Sequence, residues 1–141
     1  MDPRQQRIVD EFQGLPGWEE RYERLIQLGM ALPPFPEEHR VEALKVKGCQ
    51  SQVWLRARLE EGRVLLQADS DALIVKGLVA LLLRAYSGLS PAEILATKPE
   101  FVAAIGMREH LSPTRANGLA AMLKQVQLYA LAFQVSQGGA A

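Results

Sequence analysis

At 141 residues the chain has the length of one domain, and its sixteen basic and sixteen acidic side chains cancel. That balance excludes a broad electrostatic footprint for nucleic acid or an anionic membrane. A single cysteine excludes an internal disulfide and argues against a structural zinc site or a self-contained iron–sulfur scaffold, which need several ligands; it fits a reducing cytosol.

No basic-then-apolar leader opens the chain. The longest apolar stretch, Ala72 to Leu83, is interrupted by Lys76 and Gly77 and is too short to span a bilayer. The expectation is a soluble, cytoplasmic protein of one domain over residues 1–141, ordered over about 3–135 with a flexible tail at 136–141.

Asp2-Pro3 starts a first helix, Asp as cap and Pro in the first turn, with Ile8, Val9 and Phe12 as its apolar face. Gly14-Leu15-Pro16-Gly17 ends it. A second helix runs from Trp18 to about Leu28, with Trp18, Tyr22, Leu25 and Ile26 at helical spacing and Gly29 placed to close it. Its charged face reads as solvated helix surface, supported by a Glu20–Arg24 pair, or as a docking surface. Leu32-Pro33-Pro34-Phe35-Pro36 is a stiff connector, neither helix nor central strand. His39 follows among charged loop residues.

Three alternating segments come next. Val41–Lys47 places Leu44 and Val46 on one face; Val53–Leu59 places Val53, Leu55, Ala57 and Leu59 together; Val64, Leu66 and Ala68 form the third. Gly48-Cys49-Gln50-Ser51-Gln52 and Glu60-Glu61-Gly62-Arg63 are the turns between them. The expectation is a three-stranded antiparallel meander, one face covered by helices, in an α+β fold. Asp69-Ser70-Asp71 then caps a long helix that is apolar nearly all round and closed by Gly88, and capping alone explains Asp71. Lys76 is its one cation, read as snorkelling. Ser90-Pro91-Ala92-Glu93 and Thr97-Lys98-Pro99-Glu100 have capping-box spacing, and Ser112-Pro113 starts a last helix reaching about Gln134. In that helix Arg115 opposes the helix dipole, and Gly118 costs about 1 kcal/mol against Ala. Close packing and function explain the two equally well.

Cys49 is the centre of this pattern. A free cysteine is usually a small buried hydrophobe. A turn presented by two strands favours function instead, since loops on rigid elements carry chemistry. Gly48 permits a backbone conformation or a close approach closed to other residues. Gln50, Ser51 and Gln52 offer hydrogen bonds but no charge. A presented thiol with no activating base beside it suits thiol exchange better than hydrolysis.

Gly48-Cys49-Gln50-Ser51-Gln52-Val53-Trp54 resembles the signature of the SufE family of sulfur acceptors. Trp18-Glu19-Glu20-Arg21-Tyr22, Asp69–Leu78 and Leu111–Leu119 fit the same family in the same order, so the likeness spans about Trp18 to Met122. It implies a fold like that of the IscU-type scaffolds. It implies that Cys49 takes sulfur as a persulfide from a pyridoxal-phosphate cysteine desulfurase (SufS-like), stimulates that enzyme, and delivers to an iron–sulfur scaffold (SufBCD-like). It also tips Arg115 towards function, assisting the Cys49 thiolate or gripping the partner, with Asp71 as a second supporting or partner contact. No cofactor or metal of the chain's own is implied, nor any nucleic acid or membrane. A related acceptor of the CsdE type, serving another desulfurase and tRNA modification, shares the fold and chemistry; the intact Gln50-Ser51-Gln52 favours the SufE branch. A cysteine hydrolase with His39 or His110 as base is the rival from another class.

Overall fold

Helix α3 (Leu73–Tyr86) buries Val75, Gly77 to Leu82, Ala85 and Tyr86. A helix apolar on nearly every side needs protein on more than one face. It has strand β2 (Arg63–Ser70) against one face and helix α2 (Trp18–Met30) against another. The computed structural model describes residues 1–139.

Strand β1 (Val53–Glu60) pairs antiparallel with β2, Val53 opposite Ser70 and Glu60 opposite Arg63. The two residues between them, Glu61 (φ 51°) and Gly62 (φ 77°), both have positive φ, as a tight hairpin that follows the strand twist requires. Val53, Leu55, Val64, Leu66 and Ala68 enter the core.

The sheet has two strands, not three. Glu42–Leu44 forms a single 3-10 turn, closed by a Lys45–Glu42 ion pair at 3.0 Å. Only the Lys45–Trp54 bridge and one bond from Val46 N–H to the Val53 carbonyl (2.8 Å) remain of the expected first strand. The reason lies at the β1 edge. Helix α7 (Pro113–Gly139) covers it, and Tyr129 Oη donates to the Leu55 carbonyl at 2.9 Å. An edge capped by a helix cannot also pair with a strand. The α+β class stands.

Helix α1 (Pro3–Gln13) starts as expected, with the Asp2 carboxylate accepting from the N–H groups of Arg4 and Gln5. Arg24 of α2 bridges to Glu11 of α1 rather than to Glu20. Gly29 does not end α2; it is buried inside the helix, where a Cβ would meet Gly77 N at 2.8 Å. Trp18 stacks on His110 with ring centroids 4.2 Å apart, Arg21 donates to the Ile105 carbonyl (3.0 Å), and Tyr22 Oη donates to the His110 carbonyl.

Asp69-Ser70-Asp71 does not cap α3. Strand β2 runs through Ser70, the N-cap is Ala72, and no side chain caps the first turn; Ser70 Oγ accepts only from Ala72 N–H there, at 3.3 Å. Asp69 binds Arg40, Ser70 Oγ donates to the Gln52 carbonyl (2.8 Å), and Asp71 accepts from Gln52. Lys76 reaches Asp69 at 3.4 Å.

Helix α4 (Pro91–Ala96) has the full Ser90–Glu93 capping box. The Thr97 box does not form: Thr97 Oγ1 back-bonds to the Glu93 carbonyl (2.6 Å), and Pro99 stands at the N-cap of α5 (Glu100–Ala104). After Gly106 a short helix follows, α6 (Met107–His110). Helix α7 continues through Gly139, beyond the expected end near Gln134; the last two residues of the expected flexible tail lie outside the described residues. Among the described residues no helix is long and apolar enough to cross a membrane.

Candidate functional site

Three segments converge on Cys49: its own loop, the β2–α3 corner, and the first turns of α7. Gly48 has φ +93°, a backbone that side chains rarely adopt, and its Cα approaches α7 so closely that a Cβ would lie 3.3 Å from Ala121 Cβ. This turn directs the next side chain inwards. Cys49 is half-buried, and its thiol donates to the Gly118 carbonyl at 3.5 Å.

Gly118 faces the sulfur because it has no side chain; a Cβ there would sit 3.6 Å from Cys49 Sγ. A methyl at 118 would tolerate the thiol but occupy the space beside it. That space is a cavity of about 20 Å³ between the loop residues Gln50 and Ser51, Val75 of α3, and Thr114, Arg115 and Met122 of α7. It has room for about one water-sized group.

Gln52 ties the far end of the loop to the β2–α3 corner. Its N–H and side-chain amide donate to the two Asp71 oxygens at 3.0 and 3.2 Å, and its carbonyl accepts from Ser70 Oγ and Asp71 N–H. Asp71 therefore acts across the loop, not along the helix.

Burial pushes the Cys49 thiol pKa above its ordinary value. Arg115 lines the same cavity with its side chain exposed, and Ser112 Oγ accepts from its N–H at 3.2 Å. Tucked in this way the sulfur is a protonated, weakly reactive thiol. Neither histidine lines the cavity: His39 meets the Phe35 ring edge-on at 6.3 Å and His110 stacks on Trp18. Among the described residues no group of three or more His, Cys, Asp or Glu is placed to hold a metal ion.

Every residue singled out in the sequence around Cys49 is thus near it: Gly48, Gln50 and Ser51 in the loop, Gln52 and Asp71 as its tether, and Arg115 at the cavity. Sequence reasoning did not anticipate Val75, Thr114, Met122 or the Ser70 hydroxyl. Apolar periodicity marks Val75 and Met122 as core, but nothing in it says that the core reaches the sulfur.

The family model described as "SufE: Fe-S metabolism associated domain" matches residues 6–130. An uncharacterized SufE-like protein of Synechocystis sp. is 45% identical over 137 residues, covering 97% of this chain and 86% of that protein. SufE-like protein 1 of Arabidopsis thaliana, designated chloroplastic/mitochondrial, is 42% identical over 136 residues; these are 96% of this chain but 37% of that longer protein. The solution structure of a hypothetical protein from Thermus thermophilus superposes with a TM-score of 0.75 at 30% identity, covering 91% of this chain and 93% of that one. With the family model matched over residues 6–130 and relatives 42–45% identical over nearly the whole chain, the chain belongs to the SufE family, whose domain is associated with Fe–S metabolism.

Proposed function

We propose that the protein is a sulfur carrier that takes persulfide sulfur onto Cys49 from a SufS-like, pyridoxal-phosphate cysteine desulfurase, and passes it to a SufBCD-like scaffold for cluster assembly. One observation carries the reading: the chain's only thiol is half-buried at a three-segment junction, with room beside the sulfur and no histidine base at the cavity. Hydrolysis needs such a base; sulfur transfer does not.

The transfer is an exchange at sulfur. The Cys49 thiolate attacks the terminal sulfur of the donor persulfide, and its electron pair forms the new S–S bond. The old S–S bond breaks with its pair going to the donor cysteine, which leaves as thiolate. The terminal sulfur keeps its proton, so Cys49–S⁻ and donor–S–SH become Cys49–S–SH and donor–S⁻. Because burial holds the tucked thiol protonated, the attacking form needs the loop swung out towards the donor. Breaking the Gln52–Asp71 tether permits that movement. Once the sulfur leaves its apolar surroundings, Arg115, which lines the cavity, stabilises the thiolate or holds the partner. On return, the small cavity shields one added sulfur from reductants and oxidants.

The test mixes the protein with a cysteine desulfurase and cysteine, and follows sulfide release and intact mass, Cys49→Ser in parallel. Expected are stimulated turnover and an adduct of about 32 Da, both lost in the variant. An adduct that survives in Cys49→Ser, or none on the wild type with any desulfurase of the same cell, overturns the reading.

A further inference from the structure

Beside the Cys49 loop lies a second depression, a groove of about 340 Å³ between the 43–47 segment and the outer face of α7. Lys45, Lys47 and Lys124 line it together with Ala43 and Leu128, and no carboxylate does. In a chain whose charges cancel overall, this is a local excess of positive charge. Lys45 has an exposed neighbour, Glu42, at 3.0 Å. Lys47 and Lys124 are exposed and form no ion pair among the described residues.

The groove adjoins the sulfur site. Lys47 stands two residues before Cys49, and Ala121, which packs against Gly48, belongs to the groove wall. Its apolar lining is Ala43, Ala121 and Leu128, the last left 47% exposed. Lysines around an exposed leucine favour an acidic polypeptide segment carrying an apolar side chain, since a free inorganic anion makes no use of the leucine. Nucleic acid is disfavoured by the absence of any aromatic side chain in the groove and by the zero net charge.

We infer that this groove seats an acidic segment of the sulfur-donating desulfurase, guiding the donor persulfide to Cys49; this rests on the sulfur-acceptor reading above. Charges at the rim of an interface set encounter rate and orientation more than they hold the partners together. Reversing them therefore affects docking and leaves the chemistry at sulfur intact.

The test compares wild type, Lys47→Glu/Lys124→Glu, and Arg7→Glu/Lys98→Glu. The last makes the same change in net charge at exposed positions outside the groove. Binding to the cysteine desulfurase of the same cell is measured at low and physiological salt. Loading of Cys49 by cysteine persulfide, a donor too small to need docking, is measured alongside. Expected are binding weakened about tenfold or more at low salt in the groove variant with a flattened salt dependence, near-wild-type binding in the control, and equal loading by the small donor in all three. Wild-type binding by the groove variant, equal weakening in the control, or parallel loss of small-donor loading overturns the inference. Binding of bulk tRNA that disappears in the groove variant reassigns the groove to nucleic acid. If wild type takes sulfur from the small donor but from no desulfurase, it is the acceptor reading that fails.

Discussion

A thiol whose proton faces a carbonyl, with Val75 and Met122 around it, gives up that proton reluctantly; its reactivity therefore reports how often the loop opens. Alkylation of wild-type Cys49 by iodoacetamide is expected to rise with pH, with a midpoint above that of an unhindered cysteine. Asp71→Ala removes both acceptors of Gln52, bonds worth about 0.5–1.5 kcal/mol each. It is expected to raise the alkylation rate at neutral pH by about tenfold and to move the midpoint down towards the ordinary value. An unchanged rate and midpoint would show that Asp71 does not tether the loop. The sequence singled out Gly48, Cys49 and Arg115, and the structure brings Arg115 to the cavity beside Cys49; turn chemistry and broken helix rules are local and so can be read from sequence. Asp71 was legible as important but not for what it does: an Asp just before a helix looks the same whether it caps the helix or reaches across to Gln52.

At the scale of elements, α2 and α3 cross where Gly29 meets Gly77. A Cβ on Gly77 would run into the Leu25 carbonyl, which is backbone and cannot step aside. Gly77→Ala would gain about 1 kcal/mol of helix propensity if the site were open. Here overpacking outweighs that gain, and a net loss of about 1–3 kcal/mol is expected in urea or thermal unfolding. An unchanged or raised stability would mean that the helices separate at little cost. Glycine late in a helical pattern reads as a terminator, and only the partner helix reveals it as a contact. The same limit explains the first strand. The alternation at Leu44 and Val46 is real, and Val46 is buried, but Tyr129 sits more than seventy residues away in sequence and occupies the edge that a strand would need.

Across the whole molecule, the proline-rich connector is held to the sheet through Arg40. Its guanidinium lies 5.5 Å from the Phe35 ring centroid and 5.0 Å from that of Trp54, and it binds the Asp69 carboxylate. Burial pushes the Asp69 carboxyl up, but hydrogen bonds from Arg40 and the Ser70 N–H, with the Lys76 and Arg40 charges, outweigh it and hold the pKa below its ordinary value. A carboxyl with a depressed folded pKa contributes stability that is present above its unfolded value, about pH 4, and lost as pH falls through the lower folded value. Asp69→Asn is expected to cost about 2 kcal/mol at pH 7, because Arg40 then loses its buried partner, with the gap to wild type closing below about pH 4. A gap that stays constant from pH 7 to pH 3 would place the effect in packing instead. None of this network is visible in sequence, where Arg40 stands in a charged loop, Trp54 ends the Cys49 motif and Asp69 reads as part of a helix cap.

The short 3-10 turn that stands in place of a strand gives the molecule slack on one side of its sulfur. A full ladder over 41–47 would clamp the arm leading to Cys49 with a row of backbone bonds; here a single bond from Val46 to Val53 closes the loop. The β1–β2 hairpin and α3 lie beyond that closure point and beyond the Gln52–Asp71 tether, so residues 47–51 can change place without disturbing them. Substitutions that retune the loop for a different donor or acceptor are therefore cheap for the fold. A loop built this way can change over evolutionary time while the core behind it stays the same.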